Sequence, residues 1–88
     1  MERKYLNSED IEKCFSVMKD ISQLVRIING YFKLDLDSFA RQSLKSLDYE
    51  IQKLLKLTDG CLNFSYKIVD IYSGRGKKKT KEIWLYIV

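Results

Sequence analysis

The sequence contains no histidine, no proline and only two cysteines, and it has no apolar run near the length of about 18 residues that spans a membrane. Without histidine, the commonest metal ligand and a frequent general base is missing, and the cysteines at positions 14 and 61 are too far apart for a CxxC site. The GxGK of residues 74–77 lacks the spacing of a phosphate-binding loop. We therefore expect a non-enzymatic protein with no metal, no cofactor and no membrane segment.

The length of 88 residues leaves room for one hydrophobic core, so we expect a single domain over residues 1–88. The N-terminal stretch MERKYLNSED is charged where a secretion signal is apolar, which predicts a cytoplasmic protein. In that compartment Cys14 and Cys61 are expected to be buried, reduced thiols. A disulfide between them is the less favoured alternative.

Apolar residues at alternating spacings of three and four predict a first helix over residues 8–29. Asn29-Gly30 is interpreted as its stop, because glycine adopts the left-handed conformation that ends many helices. The apolar seam of this helix consists of Ile11, Cys14, Met18, Ile21, Val25 and Ile28. Further apolar residues lie beside the seam and are expected to cover part of the remaining fold, namely Phe15, Val17, Leu24 and Ile27.

The same spacing predicts a second helix over residues 36–59, with Asp35 as its N-cap and Asp59-Gly60 as its stop. Its seam consists of Ala40, Leu44, Leu47, Ile51 and Leu54, with Thr58 next in register. Two helices of similar length that are joined by a short connection form an antiparallel helical hairpin.

After Gly60 the apolar pattern changes to alternation, which predicts a β-hairpin over residues 61–88 with SGRGKKK at its turn. One face carries Leu62, Phe64, Tyr66, Ile68, Ile83, Leu85 and Ile87. The opposite face carries Trp84, Tyr86 and Val88, so the sheet has more apolar surface than a helical hairpin covers. We therefore expect an α+β fold, an antiparallel helical hairpin followed by a C-terminal basic β-hairpin, in a homodimer with Trp84, Tyr86 and Val88 at the interface.

The net charge of +4 lies entirely in the last third of the chain. Residues 1–60 hold ten basic and ten acidic residues, for a net charge of zero. Residues 61–88 hold two acidic residues, Asp70 and Glu82, against six basic ones, Lys67, Arg75, Lys77, Lys78, Lys79 and Lys81. Five of these six cations fall within residues 75–81, a density that favours an anionic partner over a solvated helix face.

A β-ribbon with a basic tip is suited to contacting phosphates, so we expect nucleic-acid binding, with DNA slightly favoured over RNA. The six basic residues of the hairpin are the expected phosphate contacts. As alternatives, these lysines keep an exposed ribbon soluble or bind an acidic protein partner. A further alternative is a protein-interaction module, such as a small adaptor or a virus-encoded inhibitor, that uses its apolar helix and sheet faces. The hairpin aromatics are interpreted first as core or interface residues, and second as stacking partners for unpaired bases.

The order of two helices and a basic β-ribbon resembles the histone-like bacterial proteins, whose ribbon arms embrace DNA. This chain lacks their proline near the arm tip and shows no pattern for a third strand or a C-terminal helix. The order also resembles a winged helix, and a winged-helix transcription regulator is a further alternative that would require the second helix to break near residues 43–46. We assign the chain to neither family, but both resemblances imply that the ribbon contacts DNA.

Overall fold

The chain forms two helices followed by a two-stranded antiparallel sheet in a computed structural model, which describes residues 8–72 and 79–88. The helices are α1 (Ser8–Lys33) and α2 (Asp37–Leu57), and the strands are β1 (Phe64–Tyr72) and β2 (Lys79–Ile87). The predicted α+β fold class, a helical hairpin followed by a β-hairpin, is confirmed.

The predicted end of α1 at residue 29 is wrong, because the helix continues through Gly30 to Lys33. A glycine inside a helix costs about 0.5–1 kcal/mol relative to alanine. Continuing the helix by one turn buries Phe32 to 3% exposure, and burying such a ring contributes about 1.5–3 kcal/mol. Burial of Phe32 therefore outweighs the stop signal at Gly30.

The turn between the helices uses Asp35 in a different way from the one predicted. Asp35 has a φ of 57°, a left-handed conformation, and does not act as the N-cap of α2. Leu36 is the N-cap residue and makes no side-chain capping bond. Its N–H instead donates to the carbonyl of Tyr31 at 2.8 Å, which ties the turn back to the end of α1.

Helix α2 runs without a break from Asp37 to Leu57, two residues short of the predicted end. The link to β1 is organised by Thr58, which is 5% exposed. Its hydroxyl donates to the Leu54 carbonyl at 2.9 Å and accepts from the Leu62 N–H at 3.0 Å, so it satisfies polar groups on both sides of the turn. Asp59 and Gly60 follow with φ values of 54° and 86°, the left-handed conformation that the sequence predicts for a helix stop at this point.

The two strands pair in a register that sets the faces of the sheet. Phe64 lies opposite Ile87, Tyr66 opposite Leu85 and Ile68 opposite Ile83. The face that packs on the helices is called the inner face, and it carries Phe64, Tyr66, Ile83 and Leu85. The opposite face is called the outer face, and it carries Lys67, Val69, Trp84 and Tyr86. The predicted grouping of residues on the inner face therefore agrees with the register, although Ile68 and Ile87 remain 46% and 65% exposed there.

The core is formed by both helices and the inner face of the sheet. Its buried apolar residues are Cys14, Val17, Ile21, Ile28, Phe32, Ala40, Leu47, Ile51, Leu54 and Ile83. The predicted seam of α1 is wrong at Ile11 and Met18, which are 42% and 38% exposed. Phe15 and Ile27 do not cover the hairpin either, because they are 66% and 47% exposed. The buried stripe is shifted toward Val17 because that side of α1 meets α2 and β2.

Helix α1 also contacts the backbone of the sheet. The Ile83 N–H donates to Oδ1 of Asn29 at 2.8 Å. This N–H therefore points away from β1, toward the outer edge of β2, where a helix side chain satisfies it. Asn29, predicted as part of a helix stop, thus anchors the middle of β2 to the helical hairpin.

The two cysteines differ in environment. Both are free thiols, and Cys14 is buried in the core as expected. Cys61 is exposed, so its predicted burial is wrong. It lies in the turn between Thr58 and β1, where the chain crosses the surface from the helices to the sheet.

Candidate functional site

The six residues predicted to contact phosphate do not all fall on one surface. Lys67 lies on the outer face, opposite Trp84. Lys79 and Lys81 lie on the inner face of β2, opposite Tyr72 and Asp70. Outside the described residues lie Arg75, Lys77 and Lys78, in the connection between the strands.

Two of these lysines pair with carboxylates. Nζ of Lys81 lies 3.0 Å from Oδ2 of Asp37 in the first turn of α2, and Nζ of Lys79 lies 3.3 Å from Oδ2 of Asp70. All four side chains keep about 40–50% of their exposure, and exposed ion pairs contribute about 0–1 kcal/mol each. A competing anion therefore readily replaces the carboxylate in each of these pairs.

The outer face presents two aromatic side chains to solvent. Trp84 and Tyr86 are each 47% exposed, and Val88, just beyond the end of β2, is 72% exposed. Nε1 of Trp84 donates to Oε1 of Glu82 at 3.3 Å, which satisfies the only polar atom of the indole. These three residues, predicted as an interface, are therefore accessible in the single chain.

Lys67 also belongs to this surface. Its Nζ lies 5.8 Å from the centroid of the Trp84 ring, within the range of a cation–π contact. Sequence reasoning identified Lys67 and Trp84 separately and missed that they are neighbours. The sequence does indicate this pairing, because two strands that pair symmetrically about the centre of residues 73–78 place position 67 opposite position 84.

An apolar groove lies between α1 and the inner face of the sheet. Its volume is about 340 Å³, and its lining consists of Met18, Ile21, Ser22, Val25, Arg26, Phe64 and Leu85. Phe15 and Ile11, one and two turns before Met18 on the same side of α1, are also exposed. No local pattern indicates this groove, because its lining residues are distributed over three elements.

A polar cleft of about 320 Å³ lies between α2 and β1 and contains Asp48 and Tyr66. The pKa of Tyr66 is raised from 10.0 to about 12, mainly by burial and also by a hydrogen bond to the Asp48 carboxylate and by the negative charge of that group. The protonated phenol is therefore part of the contact between α2 and the sheet.

This pKa predicts a pH dependence of stability. Between pH 10 and about pH 12 the unfolded chain loses the Tyr66 proton while the folded chain keeps it, so this contribution is present below pH 10 and is lost as the pH rises through 12. We expect thermal unfolding midpoints of the parent protein to fall more steeply over this range than those of Tyr66→Phe. Tyr49→Phe, at an exposed position of α2, is the control. Equal slopes for the parent and Tyr66→Phe would contradict the prediction.

The described residues hold no cluster of three or more side chains suited to binding a metal. Neither helix in residues 8–72 is long and apolar enough to cross a membrane. No protein-family model matches the sequence, and no curated protein or solved structure is significantly similar to it.

Proposed function

We propose that this protein is a non-enzymatic nucleic-acid-binding protein that contacts phosphates through its basic ribbon, defined as β1, residues 73–78 and β2. The observation that carries the proposal is the charge distribution. The helical part of the chain is neutral, whereas residues 61–88 hold the whole net charge of +4. A polyanion is the partner whose binding such a distribution favours most directly.

The contacts of the ribbon are compatible with this role. Lys79 and Lys81 pair with carboxylates that are about half exposed, and Lys67 contacts the ring of Trp84. A phosphate competes well with each of these, because charge-assisted bonds to phosphate are stronger than exposed ion pairs. Tyr72, the last residue of β1 before the connection, is 70% exposed, so the helices leave this end of the ribbon accessible.

The test is a titration of the chain with labelled duplex DNA, single-stranded DNA and RNA at several salt concentrations. Phosphate contacts release counterions, so log K should fall with log[salt] with a slope near −3 for three or four contacts on a duplex. Absence of binding to all three ligands at low salt would exclude the proposal.

A cytoplasmic location belongs to the same proposal, since free cysteines persist in a reducing compartment.

We propose as a second candidate a protein-interaction module that uses its apolar helix and sheet faces and forms a homodimer through Trp84, Tyr86 and Val88. The exposure of these side chains favours it, because monomers seldom leave large apolar residues uncovered in a group. Sedimentation at tens of micromolar is then expected to give at least twice the chain mass of 10.4 kDa. Trp84→Ser should reduce the mass without unfolding the chain, and a monomeric parent would exclude this candidate.

A winged helix is not favoured, because α2 is continuous through residues 43–46.

A further inference from the structure

Trp84 and Tyr86 form a pair of exposed rings on one strand. They are two residues apart on β2, so both side chains stand on the outer face about 7 Å apart along the strand. Each keeps 47% of its exposure. Two flat apolar side chains at this spacing are suited to receiving successive flat groups of a linear ligand.

The Trp84 ring contacts two polar side chains, one on its own strand and one on the neighbouring strand. Glu82 accepts the indole N–H at 3.3 Å, so no polar atom of the ring requires a further partner. Lys67 places its ammonium 5.8 Å from the ring centroid. An exposed cation–π contact is worth only about two- to fivefold in an equilibrium constant, whereas stacking of a base on an aromatic ring is worth about 5- to 150-fold. A base therefore displaces the Lys67 ammonium from the ring, and the ammonium becomes available to a phosphate beside it.

Charge decides which ligand suits this face. Among the described residues the outer face itself carries one cation, Lys67, and one anion, Glu82, but it belongs to a ribbon of net charge +4, so a second copy of the chain would bring two positively charged ribbons together. A single-stranded nucleic acid offers the opposite charge together with unpaired bases that present flat faces. A duplex offers the charge but keeps its bases stacked on one another.

We propose that the outer face of the sheet is a binding site for single-stranded nucleic acid, with Trp84 and Tyr86 stacking on unpaired bases and Lys67 contacting a neighbouring phosphate. This inference rests on the proposed function and narrows its ligand. It assigns two roles within the ribbon, since the basic connection contributes charge and the outer face distinguishes single strands from duplexes.

Trp84 is the only tryptophan of the chain, so its fluorescence reports directly on this face. The probes are a 15-nucleotide oligo(dT) and a DNA duplex of the same length. We expect oligo(dT) to quench the Trp84 emission of the parent protein and to bind with higher affinity than the duplex. An unchanged emission at saturating oligo(dT) would overturn the inference.

The variants Trp84→Leu and Tyr86→Leu remove a ring and keep an apolar side chain. By anisotropy of labelled oligo(dT), each is expected to lower affinity about 5- to 150-fold, and to change duplex affinity by less than about twofold. Trp84→Phe keeps a ring and should retain most of the affinity. Tyr72→Leu is the matched control, because Tyr72 is an exposed aromatic residue on the other face of the same ribbon. Circular dichroism verifies that each variant is folded.

The outcomes separate this inference from the proposed function. If Trp84→Leu and Tyr86→Leu bind oligo(dT) within twofold of the parent protein, the stacking site is wrong, although phosphate binding by the ribbon still stands. If the parent protein binds neither probe, this inference fails, and the proposed function fails with it if RNA is not bound either. If the parent protein is a dimer that Trp84→Leu dissociates without altering oligo(dT) affinity, the outer face binds a second copy and the inference is overturned.

Discussion

Replacing Lys77, Lys78 and Lys79 together by glutamine is expected to weaken nucleic-acid binding by between roughly tenfold and several hundredfold at 0.1 M salt. Each phosphate contact on a duplex contributes about 0.9 to the slope of log K against log[salt], so each lost contact costs nearly tenfold at that concentration. The lower figure applies if one of the three lysines contacts phosphate, and the upper if all three do. The slope itself should become less negative by about 0.9 for each lost contact.

The matched control is the triple variant Lys19→Gln, Lys45→Gln, Lys56→Gln. These three lysines are exposed on the helices, and their replacement lowers the net charge by the same three units. If both triple variants lose affinity equally, binding depends on net charge alone, and the ribbon has no special role. The loss in the ribbon variant should be similar on unrelated sequences, because phosphate contacts position a protein without reading bases.

Leu47→Ala is expected to lower the free energy of unfolding by about 2–5 kcal/mol, the range for removing a buried aliphatic side chain and leaving a cavity. Leu47 is 0% exposed and lies midway along α2, inside the core cluster. Urea unfolding followed by circular dichroism measures the change. Lys45→Ala, at an exposed position two residues before, should change stability by no more than about 0.5 kcal/mol.

Proline at position 43 provides a second test of the same helix. Ser43 lies in the second turn of α2, where proline removes an intrahelical hydrogen bond and clashes with the preceding turn, at a cost of about 3 kcal/mol or more. Ser43→Ala keeps the backbone bond and should be close to neutral or slightly stabilising. An unfolding midpoint of Ser43→Pro equal to that of Ser43→Ala would show that α2 is broken there, as a winged helix requires.

The helices and the hairpin could be predicted because their apolar periods are regular. The 4-3-4-3 spacing from Ala40 to Leu54 identified α2, and three of those residues are 0% exposed. The ends of the helices were harder to predict. Helix α2 ends at Leu57, just before Asp59-Gly60, and both of these residues take the left-handed conformation expected at a helix stop. Asn29-Gly30 did not end α1, because burial of Phe32 depends on partners distant in sequence.

The candidate site was predictable in composition but not in arrangement. The basic run and the aromatic residues are visible in the sequence, and their alternation indicates which face each occupies. The pair of Lys81 and Asp37 joins positions 44 residues apart, and no local pattern indicates it. The same holds for Asn29, whose side chain was interpreted as a stop signal and instead binds the backbone of β2.

The bond between Asn29 and Ile83 also limits how the sheet can grow. A strand added beside β2 would have to break this bond at Ile83 and displace α1. Growth of a fibril by strand addition requires that one sheet edge of each molecule pair with the opposite edge of the next molecule. If strand addition is confined to the edge of β1, edge-to-edge pairing joins β1 to β1 and ends at two chains. We therefore infer that the Asn29 side chain disfavours edge-to-edge growth of this exposed ribbon.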